Sequence, residues 1–182
     1  MLTLKNTSTH QAIDYYSQSY NDAFQTRWYG KGAEALGLVG NIQDQEIFTN
    51  ICNGLAPDGS NLGRERSRAA IDCTFSAPKS VSLCALVGGD ERLEVAHRKA
   101  VEKTLAIMEG RYAQTRMRAN GRHEAFGTGN LVVAQFDHIE SRELDPHLHT
   151  HALVMHLTKA ENGDWYSLWN EEIYQNKKHI GE

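Results

Sequence analysis

The order of elements in this sequence predicts an α+β fold, a central antiparallel β-sheet flanked by helices. Apolar runs of strand length stand at Ala69 to Phe75, Leu131 to Phe136 and Ala152 to Leu157. The last two runs lie on either side of a short polar stretch with a proline, Pro146, as the arms of a hairpin would. Between the first two runs, Leu93, Ala96, Ala100, Thr104, Met108 and Tyr112 recur at three- and four-residue steps. That spacing gives one long amphipathic helix with a face to lay on the sheet.

The remaining elements follow from local signals. Leu2 to Asn6 reads as a first strand, and His10 to Ser19 as a helix capped by Thr9 or Ser8. Lys31 to Leu36 is helical and stops at Gly37; a further helix runs near Asp44 to Cys52. Ala56-Pro57-Asp58-Gly59-Ser60-Asn61 is a turn. Periodicity alone leaves Val81 to Val87 open between helix and strand, and Ser80 as a cap favours helix. Gly88-Gly89-Asp90 separates it from the long helix, Glu91 to about Thr115. Two or three strands follow, between Arg116 and Thr128 and from Asn130 to His138. The hairpin returns from His149 to Thr158, Trp165 to Leu168 adds an edge strand after Asn162-Gly163, and Asn170 to His179 closes as a helix.

With 182 residues the chain suits one domain, residues 1–182, with a sizeable core. No stretch approaches the roughly 20 apolar residues of a membrane helix, and Met1-Leu2-Thr3-Leu4-Lys5 lacks a signal-peptide core. Cys52, Cys73 and Cys84 are odd in number and form no CxxC pair, which points to a reduced, cytoplasmic protein. The net charge of −4 argues weakly against nucleic acid, but the arginines are clustered: Arg64, Arg66 and Arg68, then Arg111, Arg116, Arg118 and Arg122. Either cluster could follow phosphates, or simply be a solvated surface.

The chemistry gathers at the hairpin. His149 and His151 are two apart and so share a strand face, and pairing of the arms brings His138 beside them. Three neutral imidazoles with coordination positions left over make a catalytic metal site rather than a closed structural one. Imidazole softness suits Zn²⁺, Mn²⁺, Ni²⁺ or Fe²⁺. His147 has the right spacing but sits after Pro146 in the loop and is set aside; His156 falls on the other face, and His97, on a helix, is given no role. Metal-bound histidines need their second nitrogen oriented, and Asp72, inside an apolar strand, is the candidate. The alternative is that its strand lies at an edge and Asp72 faces water. Tyr15 and Tyr16, with Tyr20 just beyond, are either packing residues or, near a cation, nucleophiles. Phe24, Trp28 and Tyr29 are either stacking or core residues.

Several motifs, taken together, resemble the conjugative DNA relaxases of the F-plasmid type, the MobF class. They are Asp72-Cys73-Thr74-Phe75-Ser76-Ala77-Pro78-Lys79-Ser80-Val81-Ser82, then Gly129-Asn130-Leu131-Val132, then His138 with Pro146-x-Leu148-His149-Thr150-His151-Ala152-x-Val154. Trp28-x-Gly30-Lys31-Gly32-Ala33-Glu34-x-Leu36-Gly37-Leu38 is similar to a further family stretch. The resemblance implies a histidine-hydrophobe-histidine (HUH) nuclease fold. It also implies a tyrosine attack on single-stranded plasmid DNA at the origin of transfer, leaving a 5′-phosphotyrosine link that can be reversed. By it, His138, His149 and His151 are the metal ligands, Asp72 the residue behind them, and Tyr15 the nucleophile, with Tyr16 and Tyr20 as other candidates. Lys79, Arg64, Arg66, Arg68, Arg116 and Arg118 are candidate DNA contacts. The working ion implied is one Mg²⁺ or Mn²⁺. The implied partners are origin DNA, accessory relaxosome proteins and the coupling protein of a type IV secretion system, with no membrane and a monomeric state. The implied location is the bacterial cytoplasm, with transfer to the recipient cell on the DNA.

The chain departs from the family pattern twice. Tyr20 alone stands where a second tyrosine pair is common, and the sequence ends before the C-terminal elements usual for such a domain. A truncated relaxase domain without a helicase motor is therefore expected, since the sequence has no GxxxxGK[ST] motif. Two other readings stay open: a single-stranded DNA-binding domain without productive nicking, and an unrelated three-histidine metallohydrolase.

Overall fold

A computed structural model describes residues 1–14, 23, 25–63, 68–119 and 121–182. Its centre is a five-stranded antiparallel sheet in the order β1-β3-β7-β6-β2. These strands are β1 (Leu2–Ser8), β2 (Gln25–Tyr29), β3 (Arg68–Ser76), β6 (Val133–Glu140) and β7 (Pro146–Met155). The α+β class is therefore correct.

Alternation divides the sheet's side chains between two cores. Trp28, Ala70, Ala134, Phe136, Leu153 and Met155 lie on one face, under α3 (Gln45–Cys52) with its Phe48 and Ile51. Ile71, Cys73, Val133, Ala152 and Val154 lie on the other, under α5 (Glu91–Tyr112) with Val101, Leu105 and Met108. Strands buried on both faces read as nearly continuous apolar runs, which is how they stood out in the sequence. On the second face α4 (Lys79–Leu86) also packs on β7. No helix of the described residues is long and apolar enough to cross a membrane.

The first helix, α1, is described over residues 9–14. Ser8 and Gln11 form a reciprocal capping box: Gln11 N donates to Ser8 Oγ at 3.3 Å, and Ser8 N to Gln11 Oε1 at 3.3 Å. Ala12 is buried in the first core and Ile13 packs against it. Asp44 caps α3, accepting from Glu46 N at 2.8 Å and Ile47 N at 3.3 Å.

Six expectations need correction. Pro78, not Ser80, occupies the N-cap of α4, so Ser80 lies inside the helix. The long helix stops at Tyr112 rather than near Thr115, because Gln114 already enters β4 (Gln114–Ala119), paired with β5 (Arg122–Gly127) in a separate ribbon. Asn130 to Val132 precede β6, since the Asn130 side chain donates to Thr128 O at 2.8 Å and Lys159 O at 2.6 Å. The return strand β7 begins at Pro146, earlier than His149, and ends at Met155. Trp165–Tyr166 (β9) pairs with Thr158–Lys159 (β8) as a second small sheet, not as an edge of the main one. The C-terminal helix is broken at Asn176 into α6 (Glu171–Gln175) and α7 (Lys177–Ile180).

Gly30 and Gly32 seat the short helix α2 (Lys31–Ala35) against the entry to β6. Gly32 N and Ala33 N both donate to Leu131 O, at 3.0 and 3.3 Å. Glu109 of α5 ties the same point, its Oε1 accepting from Lys31 N at 2.8 Å and Leu131 N at 2.9 Å. Gly30 has φ 104°, and a Cβ there would run into Leu131 O. A Cβ on Gly32 would lie 2.8 Å from Leu131 O and 2.9 Å from Val132 Cγ2. Gly32→Ala is thus expected to destabilise the protein by about 1–3 kcal/mol. Urea titration checks this; an unchanged midpoint would mean that α2 shifts without cost.

Candidate metal centre

The antiparallel registers assemble the site. His138 pairs directly with His149, Phe136 with His151, and Thr74 with His151 on the other side. Directly paired residues share a face, so His138, His149, His151, Thr74 and Asp72 all project from one side of the sheet. The three imidazoles come together as expected. Ring centroids are 5.2 Å apart for His138 and His149, 5.6 Å for His138 and His151, and 5.2 Å for His149 and His151.

Asp72 stands behind His151. Its Oδ1 and Oδ2 lie 3.0 and 3.1 Å from His151 Nδ1. β3 is an inner strand between β1 and β7, and the Asp72 side chain is 13% exposed, so it is not an edge residue facing water. A carboxylate so placed fixes the tautomer: Nδ1–H donates to Asp72 and the lone pair sits on Nε2. His149 is set the same way, its Nδ1 2.9 Å from the backbone oxygen of His147. Thr74, overlooked in the sequence, completes the arrangement, with Oγ1 3.3 Å from Asp72 Oδ1 and from His151 Nδ1. Its position two residues beyond Asp72 was the available signal.

These features fit a bound cation: three imidazole nitrogen donors, two of them oriented by oxygen acceptors, at the mouth of an apolar face. Among the described residues, no group of three or more His, Cys, Asp or Glu side chains is arranged to hold a metal. The His138 and His149 rings lie stacked, 21° between their planes. His147, expected in the loop, is in β7 and stacks on His149 at 4.6 Å and 18°.

Burial drives the His149 pKa down to about 4, reinforced by the neighbouring imidazoles and only partly offset by the His147 carbonyl. His147 and His97 are lowered too, first by burial. For a histidine whose folded pKa is depressed, the unfolded chain takes up the proton first as pH falls. Stability is then full above the ordinary pKa near 6.5 and declines below it. The Tm of metal-free protein should therefore drop between about pH 7 and pH 5, and drop less steeply in His149→Gln. Scanning fluorimetry across that range checks the pair; parallel slopes would contradict it.

The basic residues are dispersed. Lys79 is at the site's rim, its Nζ 3.2 Å from Pro146 O and 3.7 Å from Asp145 Oδ2. Arg68 is exposed at the start of β3. Arg116 and Arg118 stand on the β4–β5 ribbon, where Arg116 lies 5.0 Å over the Trp169 ring beside an open groove of about 800 Å³ that also includes Trp165. Trp28 is a core residue, 9% exposed and packed near Phe48. Tyr29 is partly buried and packs against the second core. Tyr15, Tyr16, Tyr20, Phe24, Arg64 and Arg66 lie outside the described residues.

Comparison with known proteins decides the family. The model of the TrwC relaxase matches residues 3–182. The chain belongs to the TrwC relaxase family. It is similar to the multifunctional conjugation protein TraI of Escherichia coli (strain K12), 42% identical over 175 residues, which are 91% of this chain and 10% of TraI. Among solved structures, the conjugative relaxase TrwC in complex with OriT DNA, in a metal-bound form, superimposes with a TM-score of 0.91 at 40% identity. That alignment covers all of this chain and 65% of the other. TrwC with a 27-mer DNA comprising the recognition hairpin and the cleavage site gives 0.86 at 39%, covering 100% of this chain and 64% of that one. The chain thus spans about two thirds of the solved TrwC chain and a tenth of TraI.

Proposed function

We propose that this chain is the strand-cleaving part of a conjugative relaxase of the MobF class and HUH type. It would nick single-stranded plasmid DNA at an origin of transfer and rejoin it. The observation that carries this reading is the gathering of His138, His149 and His151 with His151 held by Asp72. The kinship supports it, because TrwC has been solved with OriT DNA and with metal.

Held by these three histidines, a divalent ion, Mg²⁺ or Mn²⁺ in function with Zn²⁺ or Ni²⁺ as other occupants, would polarise a phosphoryl oxygen and offset its growing charge. The protein's own groups do the rest. Asp72 and the His147 carbonyl keep the His151 and His149 rings in the required tautomer. Tyr15, directly after the last described residue of α1, is the proposed nucleophile. Its oxygen bonds to phosphorus as the bond to the 3′ oxygen breaks, giving a 5′-phosphotyrosine and a free 3′-hydroxyl. Asp72 is the proposed acceptor of the phenol's proton, and the departing 3′ oxygen takes its proton from water. Since one ester replaces another, the reverse attack reseals the strand without ATP. Tyr16 and Tyr20 remain candidates for a second attack. Lys79, Arg68, Arg116 and Arg118 are proposed phosphate contacts, with Arg64 and Arg66 beside them in sequence.

Origin DNA, accessory relaxosome proteins and a secretion coupling protein are the proposed partners of a monomer acting in the bacterial cytoplasm and carried to the recipient on the DNA. The test is incubation of the protein with single-stranded oligonucleotides from candidate origins and Mn²⁺, followed by denaturing electrophoresis. A covalent adduct that chelator prevents is expected. Tight binding with no adduct in any metal would leave only the DNA-binding reading, and no binding would favour a metallohydrolase of another kind.

A further inference from the structure

The reverse face of the sheet, directly beneath the histidines, carries a buried polar chain where apolar residues would be expected. Asp137 pairs with Thr150, and this pair lies between His138–His149 and Phe136–His151 in the same ladder. Thr150 is fully buried and Asp137 is 7% exposed. The Thr150 hydroxyl donates to Asp137 Oδ1 at 2.6 Å, a short charge-assisted bond. With that proton committed, the Thr150 oxygen accepts from His97 Nε2, 3.1 Å away on α5. Arg27 of the edge strand β2 forms an ion pair with Asp137 Oδ2 at 3.0 Å. One chain, His97–Thr150–Asp137–Arg27, therefore links a helix and three strands.

Its position matters because the β6–β7 ladder becomes irregular just after His138, between His138 and Glu140. On its loop side the strand carrying one candidate ligand resumes pairing only at Glu140, opposite Pro146. The side-chain hydrogen bond from Thr150 to Asp137 crosses the two strands one residue before His138, on the regular side of that irregularity. A buried carboxylate is costly unless fully partnered, and a β-branched apolar pair at this position would pack well without it.

We propose that Thr150, Asp137, Arg27 and His97 are positioning residues that fix His138 relative to His149 and His151 and thereby set the affinity of the site for a divalent ion. This rests on the reading of the three histidines as ligands. Thr150, Asp137 and Arg27 project from the face of the sheet opposite the histidines. The hydroxyl of Thr150 acts through the backbone on the two histidines that flank it.

The test measures Mn²⁺ affinity of the chelator-stripped protein by calorimetry, with the Tm of the metal-free form recorded alongside. Thr150→Val keeps the shape and removes the hydroxyl; affinity should fall about tenfold, and Thr150→Ser should restore it. His149→Ala is run in parallel and should lose binding. If His149→Ala binds as the parent does, the ligand reading fails and takes this proposal with it. If His149→Ala loses binding but Thr150→Val keeps parental affinity, the positioning role is overturned while the ligands stand, and a lowered Tm alone would mark the chain as purely structural. Should Thr150→Val not fold, His97→Leu and His97→Gln decide. Weaker binding in the first and near-parental binding in the second supports the role, since the Gln amide can still donate to Thr150; any other result overturns it.

Discussion

Tyr15→Phe is expected to abolish the covalent protein–DNA adduct while leaving single-stranded DNA affinity essentially unchanged. Phenylalanine keeps the aromatic ring but has no oxygen to bond to phosphorus. The contrast with its neighbours makes the experiment informative. Tyr16→Phe and Tyr20→Phe should each retain the adduct on a simple nicking substrate. If Tyr20 takes part in a second transfer, its loss should show only when a preformed adduct is offered a second strand. Denaturing gels read the adduct and fluorescence anisotropy reads the binding. An adduct that survives Tyr15→Phe would move the nucleophile to another tyrosine.

His151→Ala is expected to reduce divalent-ion affinity below detection, and Asp72→Asn to reduce it by about 10- to 100-fold. The two differ because one removes a nitrogen donor and the other only its support. Asparagine can still accept from His151 Nδ1–H through its oxygen, but it supplies no charge, and its amide can turn the wrong way. Calorimetric titration of Mn²⁺ gives the affinities and thermal melts show whether the sheet is intact. Should Asp72→Asn bind metal normally yet form no adduct, Asp72 would be acting on the proton of the phenol and not on the ligand.

Much of this site was legible from spacing. His149 and His151 declare a shared face by their separation, and His138 follows once the two arms pair. Asp72 was visible because a carboxylate inside an apolar run is out of place. What stayed hidden depends on contacts between distant parts of the chain. His97 looked like an unpartnered helix residue, and its partner Thr150 is 53 positions away. Asp137 and Thr150 carry no signal of their own in the sequence, each standing beside a histidine with the stronger pattern. His147 was assigned to the loop on account of Pro146, yet the ladder extends to Pro146 and Glu140. The long helix was drawn too far because Thr115, a β-branched residue, was not weighed as a strand former; it donates instead to Ser167 O at 2.9 Å. Among fold elements, those with two buried faces were easiest to find, whereas the β8–β9 pair of two-residue strands has no periodicity to read.

The β4–β5 ribbon stands apart from the sheet that carries the histidines. It forms its own two-stranded sheet and leaves the chain between Ala113, where α5 ends, and Gly129, before β6. An isolated bridge, Thr115 to Leu168, fastens its base. The candidate chemistry, in contrast, is carried on inner strands whose registers depend on one another. The ribbon thus stands outside the ladders that space the histidines, and exchanging it is expected to leave that spacing undisturbed. Chimeras that swap residues 114–127 should keep the metal-binding behaviour of the host.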